Sequence, residues 1–164
     1  MSTAAIQKKL KLDKIDRKIL SDLQANGRMT NVELADRAGI SAPPCLRRVR
    51  ALEDNQVIQG YFANLSEKKL GFGVTAFATI RLKEQNDEDM SKFEREIHQN
   101  DNIREAYVIS GDYDYIIRVV ARDWEEYEEF LTNKLTKLPN VASVRSSVKV
   151  KTVKYQPGVP IDLD

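Results

Sequence analysis

Near residue 70 the apolar residues of this 164-residue chain change their period. Ahead of that point they recur every three or four positions. Beyond it, stretches that alternate every second position are separated by two helix-like stretches. One pattern cannot serve as the other, because side chains repeat every 3.6 residues around a helix and every second residue along a strand. The chain is therefore expected to be an α+β protein with a helical front domain and a sheet-bearing rear domain. Its length suffices for two small domains. Between them, NQVIQGYFANLSEKKLGFG reads as a connecting strand through Ile58, Tyr61 and Ala63, followed by a linker. The domains are expected to span residues 1–66 and 67–164.

In the front domain, Leu12, Ile15, Ile19, Leu20 and Leu23 line one face of a first helix, with Asp13 as its cap and Gly27 at its stop. Thr30 and Glu33 have capping-box spacing and open a second, short helix. Its expected apolar face is Val32, Leu34, Ala35 and Ala38, and Gly39 suits its exit. SAPPCLRRVR then places two prolines ahead of three arginines. With Ser41 as N-cap, Pro43 and Pro44 fall in the first turn, where missing N–H groups cost little. At 100° per residue, Cys45, Leu46, Val49 and Leu52 share the packed side of this third helix. Pro43, Arg47 and Arg50 lie opposite, with Arg48 on the flank.

Three such helices, the last two joined by a tight turn, make a helix-turn-helix, winged-helix-like unit whose third helix enters the major groove. Arg47 and Arg50 are expected to donate to guanine edges and Arg48 to hold a phosphate. The plainer alternative is a solvated basic face. Charge favours DNA: residues 1–60 hold 11 Lys and Arg against 7 Asp and Glu, although the whole chain carries only +1. Cys45, on the packed face, is expected to be a small buried residue and not a reactive one.

The rear domain reads β-α-β-β-α-β. GVTAFATIRL, NIREAYVIS, YIIRVVA and VASVRSSVKVKTV are its strands. EQNDEDMSKFEREIHQN and DWEEYEEFLTNKLTKL are its helices, the second with a stripe of Trp124, Tyr127, Leu131, Leu135 and Leu138. This order specifies a ferredoxin-like domain of four antiparallel strands with both helices on one face. Thr75, Phe77 and Thr79 are expected on the other face, which invites a second copy of the chain.

The GDYD turn at Gly111–Asp114 is the chemically distinctive stretch. Its exposed amides suit an α-carboxylate and its carboxylates suit an ammonium, so it fits a free amino acid. An ordinary hairpin turn fits the same residues. No phosphate loop, nucleophile–base pair or metal-ligand cluster accompanies it, so no enzyme is expected. The single cysteine, the lack of an apolar stretch long enough to span a bilayer and the polar N-terminus suit a cytoplasmic protein.

Taken together, LDKIDRKILSDLQANGR (12–28), NVELADRAGIS (31–41), PCLRRVRALE (44–53), VIQGYFANL (57–65), SGDYDYIIRV (110–119) and LPNVASVRSSVKVKTVK (138–154) resemble the Lrp/AsnC family of transcription regulators. PCLRRVRALE most resembles its leucine-responsive branch. The resemblance covers nearly the whole chain. It implies a nucleoid-associated regulator of amino-acid metabolism that binds double-stranded DNA as a homodimer assembling to octamers or other higher oligomers. It implies an amino-acid effector, leucine first, bound between dimers. Ser41, Pro43, Arg47, Arg48 and Arg50 then read or hold DNA. Val108, Gly111, Asp112, Tyr113 and Asp114 form the effector pocket, with Ser146, Ser147, Val148 and Lys149 of an adjacent subunit and Trp124 nearby. The Pro43-Pro44 pair departs from the family, many members of which place Ser or Thr at one of those positions. An architectural DNA-binding protein without an effector is the alternative.

Overall fold

The computed structural model describes residues 11–163, which fall into two compact units. One is Leu65–Lys154; the other joins residues 11–64 to the C-terminal segment from Tyr155. The division after Asn64 lies close to the expected boundary. The C-terminal segment does not: it belongs with the helices, for a reason given below.

In the helical unit, α1 (Lys14–Ala25), α2 (Asn31–Ala38) and α3 (Ala42–Asp54) enclose Ile19, Leu23, Leu34, Ala35, Cys45, Val49 and Leu52. Asp13–Asp16 and Thr30–Glu33 both close as capping boxes, which satisfies two otherwise orphaned amides at each helix start. Val32 departs from the expected apolar face and stands 70% exposed, because two-turn α2 presents only Leu34 and Ala35 fully to the core. Ser41 is the N-cap of α3, yet its hydroxyl makes no capping bond. The amides it would accept from belong to the second and third helical residues, and those are Pro43 and Pro44. The expected connecting strand is absent. Residues 57–65 form no ladder, since the segment has no neighbouring strand among the described residues, and Phe62 is 91% exposed.

The sheet unit is ferredoxin-like. β1 (Val74–Leu82), β2 (Ile103–Val108), β3 (Tyr115–Ala121) and β4 (Val141–Val148) pair antiparallel in the order β2-β3-β1-β4. Ala76, Ala78, Ile80 and Leu82 alternate onto the face covered by α4 (Asp87–His98) and α5 (Trp124–Glu129). Phe93 and Tyr115 meet at the centre of that core, ring centroids 4.8 Å apart. The second helix keeps its expected stripe except at Trp124, and adds Phe130 to it. A π turn at Phe130–Lys134 widens the backbone by one residue per turn. Phe130 and Leu135 therefore reach the core with Tyr127, while Leu131 and Leu138 are only partly buried and Trp124 is 55% exposed. β4 also stops at Val148, short of the expected Val153; Lys149 adds one further bond, its N–H donating to the Thr75 carbonyl.

Candidate functional site

Two groups of side chains stand out, one on each unit.

On α3, Pro43, Arg47 and Arg50 share the exposed face, while Cys45, Val49 and Leu52 are buried. Among the described residues neither Arg47 nor Arg50 meets a carboxylate, so both guanidiniums are available to an anionic partner. The Ser41 hydroxyl, released from capping, is equally available. Arg48 is not. Its Nη1 lies 2.8 Å from Asp13 Oδ2 and 2.7 Å from Asp16 Oδ1, so it pins α3 to the start of α1. The amide of Asp16 and the guanidinium of Arg48 hold the Asp13 carboxyl below its ordinary range. Nη1 of Arg48, expected to hold a phosphate, thus makes a structural contact within the unit. No local spacing signals this, since Asp13 and Arg48 are 35 residues apart. Burial pushes the Cys45 thiol up, which suits an inert core residue.

In the sheet unit, β2 and β3 form the expected hairpin, closed by the Ile109 N–H donating to the Asp114 carbonyl. Gly111 sits at φ +123°, a conformation side-chain-bearing residues avoid, so the turn requires glycine there. Asp112 is exposed. Asp114 is engaged on all sides. Its Oδ2 accepts from the Leu82 amide at 2.7 Å, its Oδ1 accepts from Gln85 at 2.8 Å, and its own N–H donates to the Ile80 carbonyl. It anchors the turn to β1, which leaves Asp112 as the carboxylate open to a ligand.

The other expected effector residues divide between the two faces of the sheet. Ser146 pairs with core-facing Ala78 and accepts a 2.6 Å hydrogen bond from the buried Tyr127 hydroxyl. Val148 follows on that face, opposite Ala76. Ser147, opposite Phe77, faces the uncovered side. Val108 lines a groove of about 280 Å³ between α4 and β2, with Ile97, His98, Ile103 and the Glu94–Tyr115 pair. None of the other expected effector residues lines that groove. Trp124 packs against Tyr127, ring centroids 5.6 Å apart and planes tilted by 46°. Within this one chain the expected pocket residues therefore form no single cavity.

The uncovered face holds a polar cluster the sequence did not signal. Glu67 accepts from Lys149 Nζ at 2.7 Å, Arg118 Nη1 at 3.0 Å and Thr75 Oγ1 at 3.0 Å, and Arg118 also donates to Glu105 at 2.7 Å. Lys149 is thereby committed to Glu67. Its hydrogen bond, with help from Thr75 and Arg118 and against a burial cost, holds the Glu67 carboxyl below the ordinary glutamate value of 4.5. The folded value lies below the unfolded one, so the cluster's stabilisation is complete above pH 4.5 and is lost as pH falls through the folded value. Glu67→Gln is expected to flatten the acid side of the sheet unit's melting temperature against pH and leave the neutral side nearly parallel to wild type. An unchanged acid slope would contradict this assignment.

Comparison with known proteins agrees with both halves. Residues 12–59 match the winged helix-turn-helix DNA-binding profile, and residues 75–159 match that of the Lrp/AsnC ligand binding domain. The leucine-responsive regulatory protein of Rhizobium meliloti is 44% identical over 146 residues, which cover 89% of this chain and 94% of that protein. The Bkd operon transcriptional regulator of Pseudomonas aeruginosa is 39% identical over 150 residues, 92% of this chain and 98% of its own length. Among solved structures, a Neisseria meningitidis transcriptional regulator in complex with L-methionine superimposes with a TM-score of 0.89 at 32% identity, covering 93% of this chain and 98% of that one.

Proposed function

Because the chain belongs to the Lrp/AsnC family of DNA-binding transcription regulators, we propose that it is a cytoplasmic, leucine-responsive regulator of amino-acid metabolism, without enzymatic activity. It reads DNA with Arg47 and Arg50, with Ser41 and Pro43 seating the end of α3. It senses its effector at the GDYD turn, where Asp112 takes the ammonium and the amides around Gly111 take the carboxylate. What carries this reading is the union in one chain of a DNA-binding domain and an amino-acid ligand-binding domain, together with the two open arginines.

The uncovered sheet face supports a homodimer: Phe77 is exposed there, directly opposite Arg118 of the Glu67–Arg118–Glu105 cluster and diagonal to Ile116. Dimerisation and further assembly to an octamer would bring Ser146–Lys149 of one subunit near the turn of another. The division of those residues within a single chain fits a pocket completed by assembly. Among the described residues no helix is long and apolar enough to cross a membrane.

An effector acts on DNA affinity only through its differential affinity for assembly states, typically about 5–150-fold in allosteric proteins. Labelled duplex from the protein's own upstream region, titrated at two salt concentrations with each of the twenty amino acids, tests this. Salt-sensitive binding shifted by leucine is expected, and Asp112→Ala is expected to abolish the shift while sparing DNA binding. Indifference to every amino acid would establish the architectural reading instead.

A further inference from the structure

Helix α1 is the hub of the helical unit. Asp13 and Asp16 hold Arg48 of α3, and Asp22, almost fully buried, holds Arg37 of α2 at 2.9 Å. A third set of contacts holds the C-terminal segment. The Gln24 side-chain amide donates to the Val159 carbonyl at 2.8 Å and accepts from the Val159 N–H at 3.1 Å. It thus satisfies both backbone groups of one residue, as a neighbouring strand would. Two helical turns back, Arg17 donates to the Asp162 carbonyl at 3.1 Å.

The segment is shaped for this contact. Gly158 has φ +93°, and a Cβ there would overlap Gln24 Oε1, so the amide keeps its place only against glycine. Pro157 and Pro160 flank the Gly158–Val159 pair and restrict the free chain, which reduces the entropy cost of docking. Along the chain, residues 150–154 join this contact to the end of β4, where the proposed effector residues Ser146–Lys149 lie.

We propose that the outer face of α1 is a docking surface for the chain's own C-terminal segment, and that this segment is a strap coupling strand β4 to the DNA-reading helix. A change in β4 on effector binding is passed along the strap to Gln24 and Arg17, and through α1 to Arg48 and α3. The proposal rests on the effector reading above.

The test uses the full chain with two substitutions that break the contact from opposite sides. Gln24→Met keeps length and helix propensity but makes neither hydrogen bond. Gly158→Ala puts a methyl group into the amide. Calorimetry measures binding of each of the twenty amino acids, and DNA titration measures affinity with and without the one that binds. Both variants are expected to bind amino acid and effector-free DNA within about twofold of wild type, while the effector-induced change in DNA affinity, about 5–150-fold in a typical coupled system, falls close to one. Variants that retain the wild-type change would overturn the strap, as would variants that lose effector-free DNA binding, since the contact would then be purely structural. Flat wild-type calorimetry with all twenty amino acids would sink the effector reading and the strap with it, and is distinct from retained coupling.

Discussion

Replacing Arg47 and Arg50 together by alanine is expected to lower affinity for the protein's own operator about 10²–10³-fold, since a bidentate arginine–guanine contact is worth about 1–3 kcal/mol. Both side chains sit on the exposed face of α3, three residues apart, and neither is spent on an internal carboxylate among the described residues. The magnitude separates the two ways an arginine meets DNA. If the pair reads bases, operator affinity falls and affinity for unrelated DNA falls much less. If it meets phosphates, both fall alike, and the slope of log affinity against log salt drops by about one for each phosphate no longer neutralised. Arg48→Ala provides the contrast. Its guanidinium holds Asp13 and Asp16, so its removal is expected to cost about 1 kcal/mol of stability in the helical unit, with operator affinity reduced far less. Operator binding by the double variant within twofold of wild type would remove α3 from the reading surface.

Phe93→Ala is expected to destabilise the sheet unit by about 3–5 kcal/mol, the range for deleting a buried aromatic ring and leaving a cavity. Phe93 is fully buried and packs on Tyr115, at the point where α4 crosses the sheet. The two units have separate cores with no residue in common. Differential scanning calorimetry should therefore show one transition moving down by many degrees and a second staying in place. The variant should keep a folded helix-turn-helix at temperatures where amino-acid binding has gone. A single transition that moves as a whole would mean that the units unfold as one.

Much of the fold is legible in the sequence because it is local. The capping boxes at Asp13–Asp16 and Thr30–Glu33, the alternation along β1 and the β-α-β-β-α-β order all lie within short windows, where side-chain period reports backbone geometry. What short windows do not show has one cause: each feature turns on partners distant in sequence or on backbone geometry without a periodic trace. Arg48 has the position of a phosphate ligand, but the fold brings Asp13 and Asp16 within its reach. Asp114 has the spacing of half a ligand-binding pair, but the end of β1 uses both its oxygens through the Leu82 amide and Gln85. Val32 keeps helical spacing yet finds no core opposite it, and the π turn re-aims Phe130 and Leu131 without any change of residue type. Glycine at 158 is visible, but its reason, Gln24, lies 134 positions earlier.

Anchoring Asp114 to Ile80, Leu82, Gln85 and Ile109 also sets a division of timescales. Both feet of the turn are tied into the sheet, so their amides should exchange with solvent only when strands separate. The residues between them, 110–113, can rearrange in nanoseconds to microseconds as exposed loops do. On the proposed effector reading, a ligand held there orders four residues without opening a strand pair, at a backbone-ordering cost of at most about 4–8 kcal/mol. On that reading the turn itself imposes no strand-opening step on ligand arrival.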